Sequence, residues 1–377
     1  MSHAKQSIGI AGAGLLGRLI AWRLLRQGHS VVLFDRGPEN GTQAAAWTAA
    51  GMVAPLSEAV VSDRSVYEMG RYALRQWPHW VKQLASNRRP LWQFNGSLVV
   101  AHPQDDTELT QFYRDLHHAT GDTHGYQWLT RPAIRALEPD LSDQFQRGLL
   151  LENEGHLDNR ALFAALGDAL RELGGHCVFD CEVELESGLI HTPSGPRRFD
   201  QVIDCRGMGA KSGFPELRGV RGEILQVQTR DLTLSRPIRL MHPRYQLYVV
   251  PKPDHHFVIG ATQIESEDRS PMSLQSSLEL SSALYTLAPA FSEARIVEQS
   301  VNLRPALPDN NPRITSEDRL LRVNGLFRHG YLLAPAVVDQ VVAMTEGSAD
   351  TEFAHSLLMH CSRKTSDDRS QPQQRAG

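Results

Sequence analysis

An α/β fold made of a discontinuous Rossmann-like domain and an inserted antiparallel α+β domain is what three features of the sequence predict. A strand, a glycine turn, a helix, a second strand and an acid follow one another between Ile8 and Asp35. Buried-strand patterns return over residues 200–207 and 320–324. Between them, beyond Gly213, lies a strand-rich stretch whose apolar and polar residues alternate, the mark of half-buried antiparallel strands.

The first unit is the most specific. Residues 7–11 read as a short buried strand and lead into Gly12-x-Gly14-x-x-Gly17. Gly12 permits the tight turn, Gly14 lets a pyrophosphate approach the backbone, and Gly17 lets the helix pack on the strand. A helix over residues 15–27 aims its N-terminal amides at that phosphate, where the helix dipole favours negative charge. Gly28 ends the helix, residues 31–34 return as a strand, and Asp35 is placed to accept hydrogen bonds from a ribose. Together these residues describe a dinucleotide site.

At 377 residues the chain exceeds the usual single core, so two domains are expected. Hydrophobic residues make up 41% and charged residues 22%, which is ordinary for a globular protein, and the net charge of −4 argues against a nucleic-acid partner. No basic stretch followed by an apolar core opens the sequence, so no secretory signal is expected. The longest apolar run, residues 331–342, is broken by Pro335 and Asp339, so no membrane span or membrane partner is expected either. The four cysteines (Cys177, Cys181, Cys205, Cys361) match no zinc or redox spacing. No metal site is expected, and a reducing cytoplasm fits.

The remaining elements follow from periodicity and punctuation. Helices are expected over 63–84, 105–120, from 130 to about 138, 160–173 with Asp158 or Asn159 as cap, 273–287 and 335–345. Strands are expected as a pair around Asn95-Gly96, at 148–151 and 176–183, as a hairpin over 188–199, and at 200–207, 222–228, 246–251, 256–261, 295–303 and 320–324. The expected division is a nucleotide domain over 1–85, 148–215 and 320–361, a substrate domain over 86–147 and 216–319, and a disordered tail over 362–377. The alanine-rich stretch 44–55 reads either as a loop packed on the core or as a wall against a flat cofactor.

Six motifs, read in order, resemble the glycine oxidase and D-amino-acid oxidase superfamily of FAD enzymes, and most of all its thiamine-pathway glycine oxidases. They are the Gly12 turn with Asp35; Ala49-Ala50-Gly51-Met52; Gly155-His156-Leu157-Asp158-x-Arg160; Tyr248-Val249-Val250-Pro251-Lys252 leading to Ile259-Gly260-Ala261-Thr262; Leu303-Arg304-Pro305; and Phe327-Arg328-His329-Gly330-Tyr331-Leu332-Leu333-Ala334-Pro335. The resemblance implies FAD, with its pyrophosphate on Gly12, Gly14, Leu15, Leu16 and Gly17 and its ribose on Asp35 and Arg36. Thr48, the 49–52 segment, Val183, Arg206, Gly207, His329, Gly330, Tyr331, Leu332 and Leu333 complete the implied cofactor site. No cysteine accompanies Arg304-Pro305 and no histidine directly follows Gly17, so the flavin is expected to be noncovalent.

The implied reaction is oxidative deamination of a small amino acid: glycine, sarcosine or a D-amino acid. Hydride leaves the α-carbon for the flavin, the imine hydrolyses, and dioxygen reoxidises the flavin to give hydrogen peroxide. The protein supplies orientation and electrostatics, above all a cation for the substrate carboxylate, best met by a bidentate arginine. Arg304, fixed between a strand and Pro305, is the candidate. Tyr248 reads equally as a hydroxyl donor to that carboxylate or as an ordinary strand aromatic. Arg328 matches a position whose main-chain carbonyl accepts from the substrate amine. His329 stands where glycine oxidases carry asparagine, and reads as a titrating group or a packed one. Pro243 (with Tyr245 nearby), Gln263 and Ala306 depart from the family pattern and are expected on the substrate side. A dehydrogenase of another amine or N-substituted glycine, a flavoprotein without turnover and an NAD enzyme are the competing readings. A homo-oligomer is left open.

Overall fold

The computed structural model describes residues 4–84, 91–121, 124–243, 246–348 and 350–358. The segment expected as a tail, together with Cys361 and Tyr245, lies outside them. Ser7–Ala11 forms the middle of a six-stranded sheet, paired in parallel with Ser30–Phe34 on one side and Gln201–Asp204 on the other. His176–Val178 extends the first side and Leu320–Asn324 the second, both in parallel. Arg313–Glu317 closes that edge antiparallel. These strands are nearly continuous apolar runs because both faces are covered. One face carries the helices Leu15–Arg26, Arg64–Leu84, Asn159–Glu172 and Gly330–Thr345. The other carries a small meander, Glu184–Glu186, Leu189–Thr192 and Gly195–Arg198, whose Ile190 packs with Phe199 on Ala11 and Val202. Strand order reverses at Ser7–Ala11, the crevice where such sheets take ligands.

The second sheet has eight strands and is mostly antiparallel. Arg295–Ala306 lies at one edge, followed by Arg218–Gln228, His256–Gly260, Gln246–Lys252, Ile238–Met241, Ser97–Ala101, Arg147–Leu151 and Tyr126–Thr130. Strand 147–151 opens a segment expected to belong to the nucleotide domain, yet it pairs with Ser97–Ala101 in this sheet. Arg313–Glu317, expected with the substrate domain, pairs in the six-stranded sheet.

Two local expectations are corrected. Asn95-Gly96 does not turn a hairpin. Trp92–Gln93 pairs with Gly155–Leu157 in a three-stranded sheet, Ser97–Ala101 enters the large sheet, and the Gly96 amide donates to the Glu154 carbonyl, so the dipeptide switches the chain between sheets. The helix expected over 335–345 begins at Gly330, not at Pro335. Proline inside a helix leaves the carbonyl four residues earlier without its amide. Here that carbonyl belongs to Tyr331, and the indole Nε1 of buried Trp77 donates to it at 2.8 Å. The bond lost at Pro335 is replaced from the 64–84 helix, and the helix reaches the crevice intact.

Candidate active site and cofactor cavity

The crevice opens into one long cavity of about 990 Å³ between the two sheets. Its nucleotide end is built by the C-terminal ends of the parallel strands. Gly12 has φ +100°, and a Cβ there would meet the Cys205 carbonyl oxygen at 2.5 Å. A Cβ on Gly17 would fall on the Gly12 carbonyl oxygen, so this glycine closes the turn on itself and lies behind the cavity wall. Gly14 differs: a Cβ there would find only the Ala44 methyl, at 3.9 Å, so the turn presents bare backbone to open space. Leu15, Leu16 and exposed Arg36 line the same end. Asp35 also lines it, but its carboxylate already accepts from the amides of Ala13 and, at 2.7 Å, Gly37. A ribose would share this carboxylate with the turn.

Val183, Arg206 and Gly207 continue the wall. The Arg206 guanidinium is turned onto fully buried Asp204, with Nε and Nη2 donating at 2.9 and 2.8 Å, and onto the Val183 carbonyl at 3.1 Å. Its side chain therefore clamps the wall together. Arg18 was invisible in the sequence because it resembles any arginine on a helix. It is 2% exposed, and its Nε donates to the Ala13 carbonyl at 2.8 Å, bracing the turn from behind.

In the middle of the cavity, Thr48 and Ala49–Ala50–Gly51–Met52 form one wall. Lys252 fixes it from outside: its Nζ donates to the carbonyls of Ala50 and Leu157 at 2.8 and 2.7 Å, and burial pushes this ammonium down to about 7. Opposite, the helix that starts at Gly330 points its N-terminus at the cavity. A Cβ on Gly330 would meet nothing within 4 Å, and Tyr331 and Leu332 line the space beside it. Leu333 does not: one residue turns a helix by about 100°, which carries this side chain into the core at 0% exposure.

At the far end the eight-stranded sheet presents Tyr248 and Arg304. Burial raises the Tyr248 phenol and lowers the Arg304 guanidinium, and each opposes the shift of the other. Arg304 Nη1 donates to the carbonyls of Thr262 and Arg221 at 3.0 and 3.3 Å, which sets the plane of its fork. Gly222 makes room for it: a Cβ there would stand 2.5 Å from Arg304 Cζ. Glu58, from the short helix Pro55–Ala59, bonds Arg328 Nη2 at 2.7 Å. Arg328 Nη1 donates to Gln263 Oε1 at 3.3 Å, so this side chain spans the cavity rim.

This geometry matches a family. The model of the FAD-dependent oxidoreductases covers residues 7–344. The chain is a member of that family. Among curated proteins, the one named thiamine biosynthesis oxidoreductase ThiO in Rhizobium etli is 41% identical over 332 residues, which cover 88% of this chain and 94% of the relative. Among solved structures, glycine oxidase from Geobacillus kaustophilus superposes with a TM-score of 0.81 at 22% identity, covering 95% of this chain and 99% of the other. Iminodiacetate oxidase from a Chelativorans species does so with a TM-score of 0.81 at 21% identity, covering 93% and 98%. The fold is that of these enzymes, and FAD is the family's cofactor.

The residues of this FAD-dependent oxidoreductase fit the dinucleotide: Gly14 leaves its backbone open to a pyrophosphate, and Gly330 leaves a helix N-terminus open to a polar ring edge. One expectation about the substrate end changes. Ala306 is fully buried against Val220 and Phe327 and does not line the cavity. Gln263 lines the cavity from its exposed rim, where its oxygen accepts from Arg328. Pro243 lines the cavity.

His329 is packed, not poised at neutral pH. It is 5% exposed, Ser62 Oγ lies 3.3 Å from its Nε2, and burial holds the imidazole down to about 4 despite the nearby Glu58 carboxylate. The unfolded chain, with its histidine near the ordinary 6.5, takes up this proton first. The stability that neutral His329 contributes is therefore present above about pH 6.5 and is lost as pH falls toward 4. Urea unfolding of wild type and His329→Asn across that window is expected to show a flatter slope in the variant, by on the order of 2 kcal/mol between the ends. Buried His156, held down to about 3, leaves some slope in both. Parallel profiles would contradict the assignment.

Proposed function

We propose that the chain oxidises a small amino acid at its α-carbon, as an enzyme of the thiamine pathway, using dioxygen as the electron acceptor. The observation that carries this reading is the Arg304 fork beside the Tyr248 hydroxyl at the end of the cavity. A bidentate guanidinium with an adjacent hydroxyl is a carboxylate receptor. Held there, the substrate points its α-carbon and amine back along the cavity toward the Met52 and Gly330 walls. FAD, when bound, supplies the two-electron acceptor for the hydride and passes the electrons to dioxygen, with release of hydrogen peroxide. The side chains only orient: an amine that enters neutral needs no general base, and among the lining residues His329 is engaged and held neutral. The Arg328 carbonyl is the acceptor we assign to the substrate amine.

The similarity to the Rhizobium etli protein over nearly all of both chains supports the thiamine assignment. The three described cysteines are free thiols, in keeping with a reducing cytoplasm. The reading is tested by adding glycine, sarcosine, D-alanine, D-serine and N-substituted glycines to the oxygen-free protein and following the flavin absorbance near 450 nm. At least one is expected to bleach it, with peroxide formed on readmitting air. A flavin that none of them bleaches would overturn the proposal.

A further inference from the structure

The strand Arg218–Gln228 serves two environments. Gly222 and Ile224 line the cavity, while Arg221 and Glu223 alternate with them onto the face that Leu225 shares with the helix Leu274–Leu287, where they are 5% and 0% exposed. All five N–H groups of the Arg221 guanidinium are engaged there. Nε and Nη2 donate to Glu223 Oε1 at 3.0 and 2.6 Å, Nη1 to the carbonyls of Asp268 and Ser270 at 2.8 and 2.9 Å, and Nη2 also to the Pro271 carbonyl at 2.9 Å. Glu223 Oε2 accepts from the Thr262 hydroxyl at 3.1 Å. Burial alone would raise the Glu223 carboxyl, but hydrogen bonds from Ser276, Arg221 and Thr262 outweigh it and hold it below its ordinary range.

Thr262 needs this grip because the ladder does not hold it. The strands Arg218–Gln228 and His256–Gly260 pair as far as Ile224 and Gly260, and pairing resumes in a single bridge between Arg221 and Ile264. Between the two pairings stand Gly222 and Glu223 on one chain and Ala261, Thr262 and Gln263 on the other, one residue too many for a regular register. Three bonds tie Thr262 to residue 223: its amide donates to the Glu223 carbonyl at 3.3 Å, and its hydroxyl accepts from the Glu223 amide at 2.9 Å while donating to the carboxylate. The Thr262 carbonyl, so placed, accepts from Arg304 Nη1 at 3.0 Å. The second support of that nitrogen, the Arg221 carbonyl at 3.3 Å, also takes the Ile264 amide at 3.0 Å. Both carbonyls that set the Arg304 fork thus belong to residues whose side chains close on one carboxylate.

We infer that Glu223 is the positioning residue of the carboxylate receptor: from behind the sheet it fixes Thr262 and Arg221, whose carbonyls aim the Arg304 fork into the cavity. This rests on the amino-acid reading above and adds to it a residue outside the cavity wall. A buried ion pair gains little net stability, because desolvation offsets the attraction. What the Arg221 to Glu223 pair provides is direction. With the Thr262 carbonyl displaced, the guanidinium turns out of plane and bidentate pairing with a carboxylate is lost.

The test uses acetate, a carboxylate that the enzyme cannot oxidise, titrated into the holoenzyme while the flavin absorbance is followed. KM and the anaerobic rate of flavin reduction are measured beside it for the fastest amino acid of the panel. Glu223→Gln is expected to weaken acetate binding and raise KM by about ten-fold or more, with flavin content kept and the limiting reduction rate lowered by less than about three-fold. Thr262→Val, which exchanges the hydroxyl for a methyl, is expected to do the same. Thr262→Ser, which keeps the hydroxyl, is expected to bind acetate within about two-fold of wild type. The Thr262 variants carry the test if Glu223→Gln does not fold. Unchanged acetate affinity in Glu223→Gln and Thr262→Val overturns the proposal. So does a parallel loss of flavin content and limiting rate, the mark of a purely structural pair. Acetate binding that depends on Glu223 in a protein whose flavin no amino acid reduces keeps the positioning role and removes the amino-acid reading. A wild type with no saturable response to acetate removes the receptor and the positioning role together.

Discussion

Arg304→Ala is expected to remove nearly all activity on amino acids while leaving the protein folded and yellow. The side chain is partly buried, its fork is aimed by the Thr262 and Arg221 carbonyls, and its position comes from the edge strand Arg295–Ala306. Deleting it leaves a substrate carboxylate desolvated and unpaired, which costs on the order of 2–5 kcal/mol, or a factor of about 30 to 5,000 in kcat/KM. Arg304→Lys retains the charge but not the fork. Its ammonium would be drawn to the same two carbonyls, so a large rise in KM is expected even though the charge is conserved. Amines without a carboxylate should be oxidised equally well, or equally poorly, by wild type and variant. Equal losses on amines and amino acids would show that Arg304 supports the site without binding a carboxylate.

Gly14→Val should yield a soluble, colourless protein. The turn accepts a side chain at this position in the free chain, since a Cβ meets only the Ala44 methyl and the backbone is extended at φ −71°, ψ −166°. The valine would instead occupy the space the pyrophosphate needs. Gly12 and Gly17 behave differently, because a Cβ at either one strikes backbone, and their alanine variants are expected to be insoluble. Measuring flavin per protein after purification separates the two cases. A fully yellow Gly14→Val would mean that the phosphate lies elsewhere. Heat-denatured wild type is expected to leave all its flavin in the supernatant, and flavin retained in the pellet would show a covalent bond.

What the sequence made legible was what the backbone dictates. The glycine turn, its helix and the alternating strands follow from steric rules and periodicity, and the expected α/β class with an antiparallel partner sheet is the one observed. Arg304 and Tyr248 were found only because their neighbours form a motif. Position 306 looked like a pocket residue by the same route and is packed core. Glu58, Arg239 and Glu154 were missed altogether. They come from a five-residue helix, a four-residue strand and a turn, segments too short for a periodic signal, and only the packing of two sheets brings them together. The helix start at Gly330 was missed because proline is a fair stop signal unless a distant indole supplies the absent donor, and no local pattern could announce Trp77.

Gly222 has an evolutionary consequence. With the guanidinium of Arg304 occupying the volume where its Cβ would be, any side chain at 222 has to push that fork aside. A lineage that keeps the arginine fork at 304 in this place is expected to keep glycine at 222. One that has moved this cation to another strand is released from that confinement, and a side chain at 222 should be the first visible trace of a changed substrate. Pairwise covariation between the two columns, in a collection of related sequences sorted by substrate, would record this constraint without an assay.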